Sequence, residues 1–89
     1  MPAAIVRLNS SVTYPQPEEE IGCTGSTVEE VLRACCSARP RLEGRILGGD
    51  GRKGAGVFVN GRSIEQLQGL QTEIHEGDTI LVLAPIAGG

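Results

Sequence analysis

Apolar and polar residues alternate near the start of the chain. Ala4, Val6 and Leu8 occupy every second position, which is the period of a strand with one buried face. Residues 9–11 are polar and predict a turn, and residues 12–14 predict the beginning of a return strand. The chain is therefore expected to begin with a β-hairpin.

Proline and glutamate dominate the segment that follows. Pro15 and Pro17 lack the N–H that a sheet ladder needs, so they are expected on a sheet edge or in a loop. Residues 18–20 are consecutive glutamates and predict a solvated acidic stretch, whose charge would keep an edge strand soluble. Docking of a basic partner surface on this stretch is the alternative interpretation.

A helix is predicted over residues 28–38. Ser26 or Thr27 can cap it, because each is followed three residues later by a glutamate that can close a capping box. Pro40 prevents the helix from continuing. The predicted buried stripe, with helical spacing, consists of Val28, Val31, Leu32 and Cys35.

The three cysteines predict packing rather than chemistry. Cys35 falls in the buried stripe and Cys36 lies beside it, and burial raises the pKa of a thiol and makes it inert; persulfide chemistry is the alternative role. An odd number of cysteines without a CxxC pair disfavours a disulfide framework. Cys23 and His75 complete four residues of zinc-ligand type, but their spacing matches no structural zinc site. No metal site is predicted, and His75 is expected to be exposed.

A glycine-rich segment spans residues 48–56. Gly49, Gly51 and Gly54 form a formal GxGxxG pattern, but a dinucleotide site needs a helix after it, and β-forming residues follow here. A phosphate loop is also disfavoured because Lys53 precedes a glycine instead of serine or threonine. We therefore expect a mobile loop.

The second half of the chain carries the clearest strand signals. Asn60-Gly61 between β-forming flanks predicts a two-residue type I′ hairpin turn. Residues 65–70 are predicted to be irregular or briefly helical, and residues 76–78 form a tight turn. Residues 79–84 are predicted to form the last strand, which is apolar on both faces from Ile80 onward, as expected of a central strand.

Strand alternation assigns these side chains to two faces. The predicted core-facing residues are Val57, Val59, Ile80 and Val82. Phe58, Leu81 and Leu83 then point outward and form an apolar patch, which we expect to bind a partner protein. A shift of one residue would exchange the two faces.

Size and charge exclude several classes of function. A chain of 89 residues has room for one small domain with one core. Its net charge of −3, and aromatic content limited to Tyr14 and Phe58, provide neither the basic surface nor the stacking residues of a nucleic-acid-binding protein. No run of 18 apolar residues or charged leader is present, so we expect a cytoplasmic protein without a membrane partner.

Hairpin, helix, hairpin and central strand, in this order, predict an α+β protein with the β-grasp (ubiquitin-like) fold, a mixed sheet with one main helix packed across one face. The motifs that carry a family resemblance are Val57-Phe58-Val59-Asn60-Gly61, Leu70, Glu76-Gly77-Asp78, Ile80-Leu81-Val82 and Pro85-Ile86-Ala87-Gly88-Gly89. With them, residues 57–89 resemble the MoaD/ThiS sulfur-carrier proteins, most closely those of MoaD and CysO type. The glycine-rich loop and the position of Pro85 depart from that pattern. The predicted organisation is a β-grasp domain over residues 1–84 and a flexible diglycine tail over residues 85–89.

The resemblance implies that the functional group is the carboxylate of Gly89. A partner enzyme related to ubiquitin-activating enzymes would adenylate it with ATP and magnesium, and a sulfur donor would convert it to a thiocarboxylate. An acceptor enzyme would take the sulfur for molybdopterin, cysteine, thiamine or another product. Ile86, Ala87 and Gly88 would form the thin tail that enters these partners' sites, since glycine adopts unusual dihedral angles freely. The chain would bind no cofactor and would not itself be an enzyme.

Two other functions remain open. The same activated Gly89 would allow a ubiquitin-like modifier to form isopeptide bonds with other proteins. Lys53 is the only lysine of the chain, so chains built on the protein itself would have one side-chain acceptor. A noncatalytic β-grasp interaction domain is the third interpretation, and it would not depend on Gly89.

Overall fold

The computed structural model describes residues 1–48 and 54–84. The strands are β1 (Ala3–Leu8), β2 (Glu19–Thr24), β3 (Gly56–Val59), β4 (Arg62–Ser63) and β5 (Thr79–Leu83). The helices are α1 (Ser10–Thr13), α2 (Val28–Ala38) and α3 (Glu43–Leu47), with 3₁₀ turns at Pro40–Leu42, Ile64–Gln66 and Gly69–Gln71. The strands form a mixed sheet in the order β2-β1-β5-β3-β4, in which only β1 and β5 are parallel. This arrangement confirms the predicted β-grasp fold, with β5 at the centre.

The predicted return strand at residues 12–14 is wrong. Those residues belong mainly to α1, which Asn9 caps by accepting a hydrogen bond from the Ser11 N–H at 2.9 Å. The return strand is β2, which pairs antiparallel with β1 from Ala3↔Thr24 to Leu8↔Glu19. The return strand begins only after the two prolines in the connection, because neither proline can donate a hydrogen bond to a ladder.

The glutamate run contributes to β2 as well as to the connection before it. Glu19 lies on the α2 side of the sheet, where its carboxylate accepts hydrogen bonds from the Arg39 guanidinium. Glu20 points to the opposite face and pairs with Arg7 at 3.1 Å. Two of the three glutamates therefore have an arginine partner within the domain, on an edge strand whose charge disfavours pairing with other chains.

Helix α2 has the predicted bounds. The Thr27 hydroxyl accepts a hydrogen bond from the Glu30 N–H at 3.3 Å, and the Glu30 carboxylate accepts one from the Ser26 N–H at 2.8 Å. These two bonds satisfy amide groups that a helix start would otherwise leave unpaired. The buried side chains of α2 are Val28, Val31, Leu32, Cys35 and Cys36. Pro40 follows the helix and opens the 3₁₀ turn that leads into α3, an element that the sequence pattern does not predict.

The Asn60-Gly61 turn joins β3 and β4 as predicted. Both residues have positive φ, 50° and 88°, which is the backbone of a type I′ turn. Gly77 has a φ of 84° in the tight turn before β5. The short segments between these turns include two of the 3₁₀ turns, as expected of residues 65–70.

One side of the sheet packs against the helices and forms the core. The core residues on the strands are Ala4, Val6, Leu8, Cys23, Val57, Val59, Ile80 and Val82. They contact the buried stripe of α2, together with Leu42, Ile46 and Ile74. Within the described ranges, no helix combines the length and apolar character needed to cross a bilayer. The glycines and lysine of residues 49–53 lie outside the described residues.

Candidate functional site

The face of the sheet opposite α2 brings together the three residues of the predicted patch. Leu81 lies in the middle of β5, and its neighbours across the sheet are Phe58 on β3 and Arg7 on β1. Leu83 follows on the same face, opposite Gly56. Ile80 and Val82 are fully buried on the other face. The predicted strand parity is therefore confirmed.

A shallow groove runs along this open face. Its lining residues are Arg7, Phe58, Asn60, Gly61, Thr79, Leu81 and Leu83. Ile5 extends the apolar surface beyond Thr79, its partner in the sheet, and is 45% exposed. Ile5 and Arg7 are not among the residues predicted for this patch from the sequence. The alternation that places Ala4, Val6 and Leu8 in the core is the signal that could have found them, because it sends the residues between them to the opposite face.

An ion pair borders the apolar surface on the side of β2. The Arg7 Nε and the Glu20 carboxylate are 3.1 Å apart, and both side chains are more than half exposed. An exposed pair of this kind contributes little to stability, about 0–1 kcal/mol. Both groups therefore remain available to a partner that approaches the open face.

The turn at one end of the face is held by side-chain hydrogen bonds. The Asn60 amide donates to the Asp78 carboxylate at 3.0 Å, and its oxygen accepts the Thr79 N–H at 3.0 Å. The Asp78 carboxylate also accepts the His75 N–H at 2.8 Å. Burial opposes ionisation of Asp78, but these hydrogen bonds outweigh it and lower the pKa of the carboxyl group. The β3–β4 turn is thus fixed to the start of β5.

His75 is exposed, as predicted. Its Nε2 lies 3.0 Å from the Glu73 carboxylate, and both side chains are more than 70% exposed. Among residues 1–48 and 54–84, no group of three or more His, Cys, Asp or Glu side chains is placed to hold a metal ion. His75 and the cysteines are not brought together in a shared site.

The cysteines lie in the core between β2 and α2. Cys23, Cys35 and Cys36 are all free and buried. Burial raises the pKa of the Cys35 thiol to about 12, with a further contribution from the neighbouring Cys23 and Cys36. Burial also raises the pKa of the other two thiols. This environment keeps the thiols protonated at neutral pH and agrees with the packing role expected of them.

The predicted reactive tail follows directly from the open face. Ala84, one residue after β5, is the last described residue, and its N–H donates to the Ser11 hydroxyl at 3.1 Å. Ile86, Ala87, Gly88 and Gly89 lie outside the described residues. The structure therefore shows where the tail begins, directly after β5 and Ala84.

The sequence and the structure resemble carrier and modifier proteins. The sequence model of the ThiS family matches residues 6–89. The chain is 31% identical over 86 residues to an Archaeoglobus fulgidus protein named "Putative sulfur carrier protein", covering 94% of this chain and 96% of the relative.

Two solved structures share the fold. The small archaeal modifier protein 1 of Methanosarcina acetivorans superimposes with a TM-score of 0.77 at 27% identity, covering 100% of this chain and 98% of that one. The fold also matches a chain of the Amycolatopsis orientalis BexX/CysO complex, with a TM-score of 0.74 at 23% identity and coverage of 97% and 99%. The family match, over residues 6–89, includes the β-grasp domain from β1 to β5 and the diglycine motif. The chain therefore belongs to the ThiS family.

Proposed function

We propose that this protein is a sulfur carrier whose Gly89 carboxylate is adenylated and then converted to a thiocarboxylate. The observation that carries the proposal is the family match, which runs from the first strand to Gly89 and includes the diglycine motif. The Archaeoglobus fulgidus relative, named as a sulfur carrier, supports it. The placement of the open apolar face on β5, the strand that leads into the tail, supports it further.

The proposed chemistry explains why the chain needs an activating partner. A carboxylate reacts poorly with sulfur nucleophiles because its oxygen is a poor leaving group. Adenylation by an enzyme that uses ATP and magnesium turns this oxygen into part of AMP, which a sulfur nucleophile can displace. The carrier supplies no catalytic side chain in this scheme. It presents its own carboxylate and is a protein substrate of other enzymes.

The open face is the proposed docking surface for the adenylating enzyme. Phe58 and Leu81 are adjacent across the sheet, and Leu83 continues the surface toward the tail. Removing apolar area of this kind from water favours association with a partner that covers it. A partner seated there would contact the strand from which the tail emerges, so docking and presentation of Gly89 would occur together. CysO, which shares the fold, has been solved in complex with BexX.

Reconstitution with a cognate activating enzyme tests the proposal. The full chain, ATP and magnesium should release pyrophosphate in a reaction that depends on the carrier. A chain that lacks Gly89 is the matched control, and it should fold normally but give no carrier-dependent release. Equal release from both chains would contradict adenylation at Gly89. In the proposed scheme, the sulfur of the thiocarboxylate finally passes to an acceptor enzyme of a biosynthetic pathway.

Protein modification is the second candidate function. Its support is the similarity to the small archaeal modifier protein 1 of Methanosarcina acetivorans across the whole chain. A modifier would use the same adenylate but pass the Gly89 acyl group to lysines of other proteins. Covalent conjugates that form without a thiocarboxylate intermediate would favour this function. A chain that no cognate enzyme adenylates would leave the interaction-domain interpretation.

A further inference from the structure

We propose that Ser11 is a positioning residue, which fixes the point where the tail leaves the sheet and so aligns Gly89 for activation. This inference rests on the proposed function for its consequence. The structural basis is the hydrogen bond between the Ala84 N–H and the Ser11 hydroxyl, 3.1 Å long. It joins the last described residue to α1, across 73 residues of sequence.

The β1–β5 ladder explains why a side chain is needed here. The two strands are parallel, and the Asn9 N–H donates to the Val82 carbonyl at 3.0 Å. In a parallel ladder, the next bond would run from the Ala84 N–H to the Asn9 carbonyl. That carbonyl is already used, because it accepts the Val12 N–H at 2.8 Å and the Thr13 N–H at 3.1 Å at the start of α1. The Ser11 hydroxyl takes its place as the acceptor for Ala84.

The hydroxyl is carried by a helix that is itself anchored. Val12 and Thr13, the residues after Ser11, are buried in the domain. The Arg45 guanidinium donates to the Val12 carbonyl at 2.8 Å, and the Arg41 guanidinium donates to the Thr13 carbonyl at 3.1 Å. These bonds complement the carboxyl end of α1. Ser11 therefore holds Ala84 to a fixed part of the fold.

The hydrogen bond between Ser11 and Ala84 would affect function by setting the direction in which the tail leaves the sheet. Four residues separate Ala84 from Gly89, so the direction in which the chain leaves the sheet decides which region Gly89 can reach. Without the Ser11 hydroxyl, the last fixed backbone position before the tail would move back from Ala84 to β5. Correct placement of reacting groups contributes strongly to enzymatic rates. Docking of the open face would be unaffected, because the exposed Ser11 does not line the groove.

Three substitutions test the role of the hydroxyl. Ser11→Ala removes the acceptor, Ser11→Thr keeps a hydroxyl at this position, and Ser10→Ala is the matched control. The Ser10 hydroxyl is exposed and makes no hydrogen bond within the described residues. With a sulfur donor present to displace AMP and allow turnover, kinetics of pyrophosphate release should show that Ser11→Ala lowers kcat by about three- to tenfold, the worth of one hydrogen bond, at nearly unchanged KM for the carrier. Ser11→Thr and Ser10→Ala should retain the kcat of the natural chain.

A measurement on the free protein separates this inference from the proposed function. Backbone ¹⁵N relaxation and amide hydrogen exchange should show Ala84 becoming more mobile and less protected in Ser11→Ala, while Leu81 is unchanged. If the mobility and exchange of the Ala84 amide are the same in Ser11→Ala as in the natural chain, the hydrogen bond does not hold Ala84 and the inference is overturned. A loosened Ala84 with unaltered kcat would overturn the positioning role. If the natural chain is not adenylated at all, the proposed function fails and the positioning role falls with it, whereas the relaxation result stands.

Discussion

At the scale of single residues, the core thiols are the groups whose chemistry the fold changes most. Cys35 projects from α2 into the space beside Cys23 on β2, and neither side chain reaches solvent to any large extent. A thiolate in this apolar setting would lose its hydration without gaining a fixed cation close by. The Arg39 guanidinium favours ionisation of Cys35, but it is engaged by Glu19. The domain therefore uses cysteine as a small apolar residue.

The raised pKa of Cys35 predicts how stability changes in alkaline solution. Its thiol has an ordinary pKa of 9.0 and a pKa of about 12 in the folded protein. Above pH 9 the unfolded chain loses this proton while the folded chain keeps it, so the free energy of unfolding falls as pH rises. For Cys35 the fall should be small between pH 8 and 9 and about 1 kcal/mol between pH 9 and 10, and it approaches about 1.4 kcal/mol per pH unit only at higher pH. Urea titrations at pH 8, 9 and 10 measure it.

Cys35→Ala provides the control for the alkaline prediction. The variant should be less stable at pH 8, because it leaves a small cavity in the core. Its stability should nevertheless depend less steeply on pH, because one titrating thiol is gone. Identical slopes for the variant and the natural chain would contradict the assignment of the effect to Cys35.

At the scale of elements, the β3–β4 hairpin has a turn that requires particular residues. Gly61 has a φ of 88°, and a Cβ added there would meet nothing within 4 Å. The conformation itself is therefore the reason for glycine, since a side chain in the left-handed region costs about 1–2 kcal/mol. Asn60 tolerates its φ of 50° and hydrogen bonds with Asp78. The turn also lines one end of the open face.

Gly61→Ala should lower the free energy of unfolding by about 1 kcal/mol. Gly22→Ala is the matched control: Gly22 lies in β2 without a positive φ, and an added Cβ would also meet nothing within 4 Å. That substitution should be neutral or slightly stabilising, because alanine has less backbone freedom in the unfolded chain. Denaturant titrations compare the two. Equal losses of stability would contradict the conformational explanation.

At the scale of the whole molecule, the sheet has one face packed on helices and one open face. Leu81 and Val82 are consecutive residues of β5, but Val82 is fully buried and Leu81 lies between Phe58 and Arg7 on the open face. A charge on the open face remains in contact with water, whereas a charge in the core has no partner. The open face can therefore be changed with little effect on stability, which allows its proposed role in partner binding to be tested.

Leu81→Glu and Phe58→Glu should change the free energy of unfolding by less than about 1 kcal/mol. Both should reduce carrier-dependent pyrophosphate release at least about tenfold, because a partner's apolar surface would bury an unpaired carboxylate. Val82→Glu is the contrasting variant, and it should fail to fold. Full activity of both folded open-face variants would remove this surface from the account of activation.

Local sequence signals were sufficient for part of the fold. Helix α2 carries its own cap and its own buried stripe, and the Asn60-Gly61 turn follows from two adjacent residues. The face assignment of Leu81 followed from alternation along one strand. Each of these features depends on interactions within a few residues, which a sequence pattern records directly.

Features that depend on distant residues were missed. Helix α1 has only four residues, and its last carbonyl groups are bound by arginines about 30 residues further along the chain. Strand β2 begins at Glu19, whose charge is accommodated by an arginine 20 residues away. The contact of Ser11 with Ala84 required the register of β1 on β5, which no local pattern specifies. Tertiary partners decide these cases, and they overrule the local preference for a loop.

The central claim is that sulfur is carried on the carboxylate of Gly89, and mass spectrometry tests it most directly. The full chain would be incubated with a cognate activating enzyme, ATP, magnesium and a sulfur donor, beside a chain lacking Gly89. The full chain should gain the mass expected when one oxygen is replaced by sulfur, and fragmentation should place this change on Gly89. The truncated chain should keep its mass and its thermal stability. Sulfur found on a cysteine, or a full chain that is adenylated but never gains sulfur, would contradict the account.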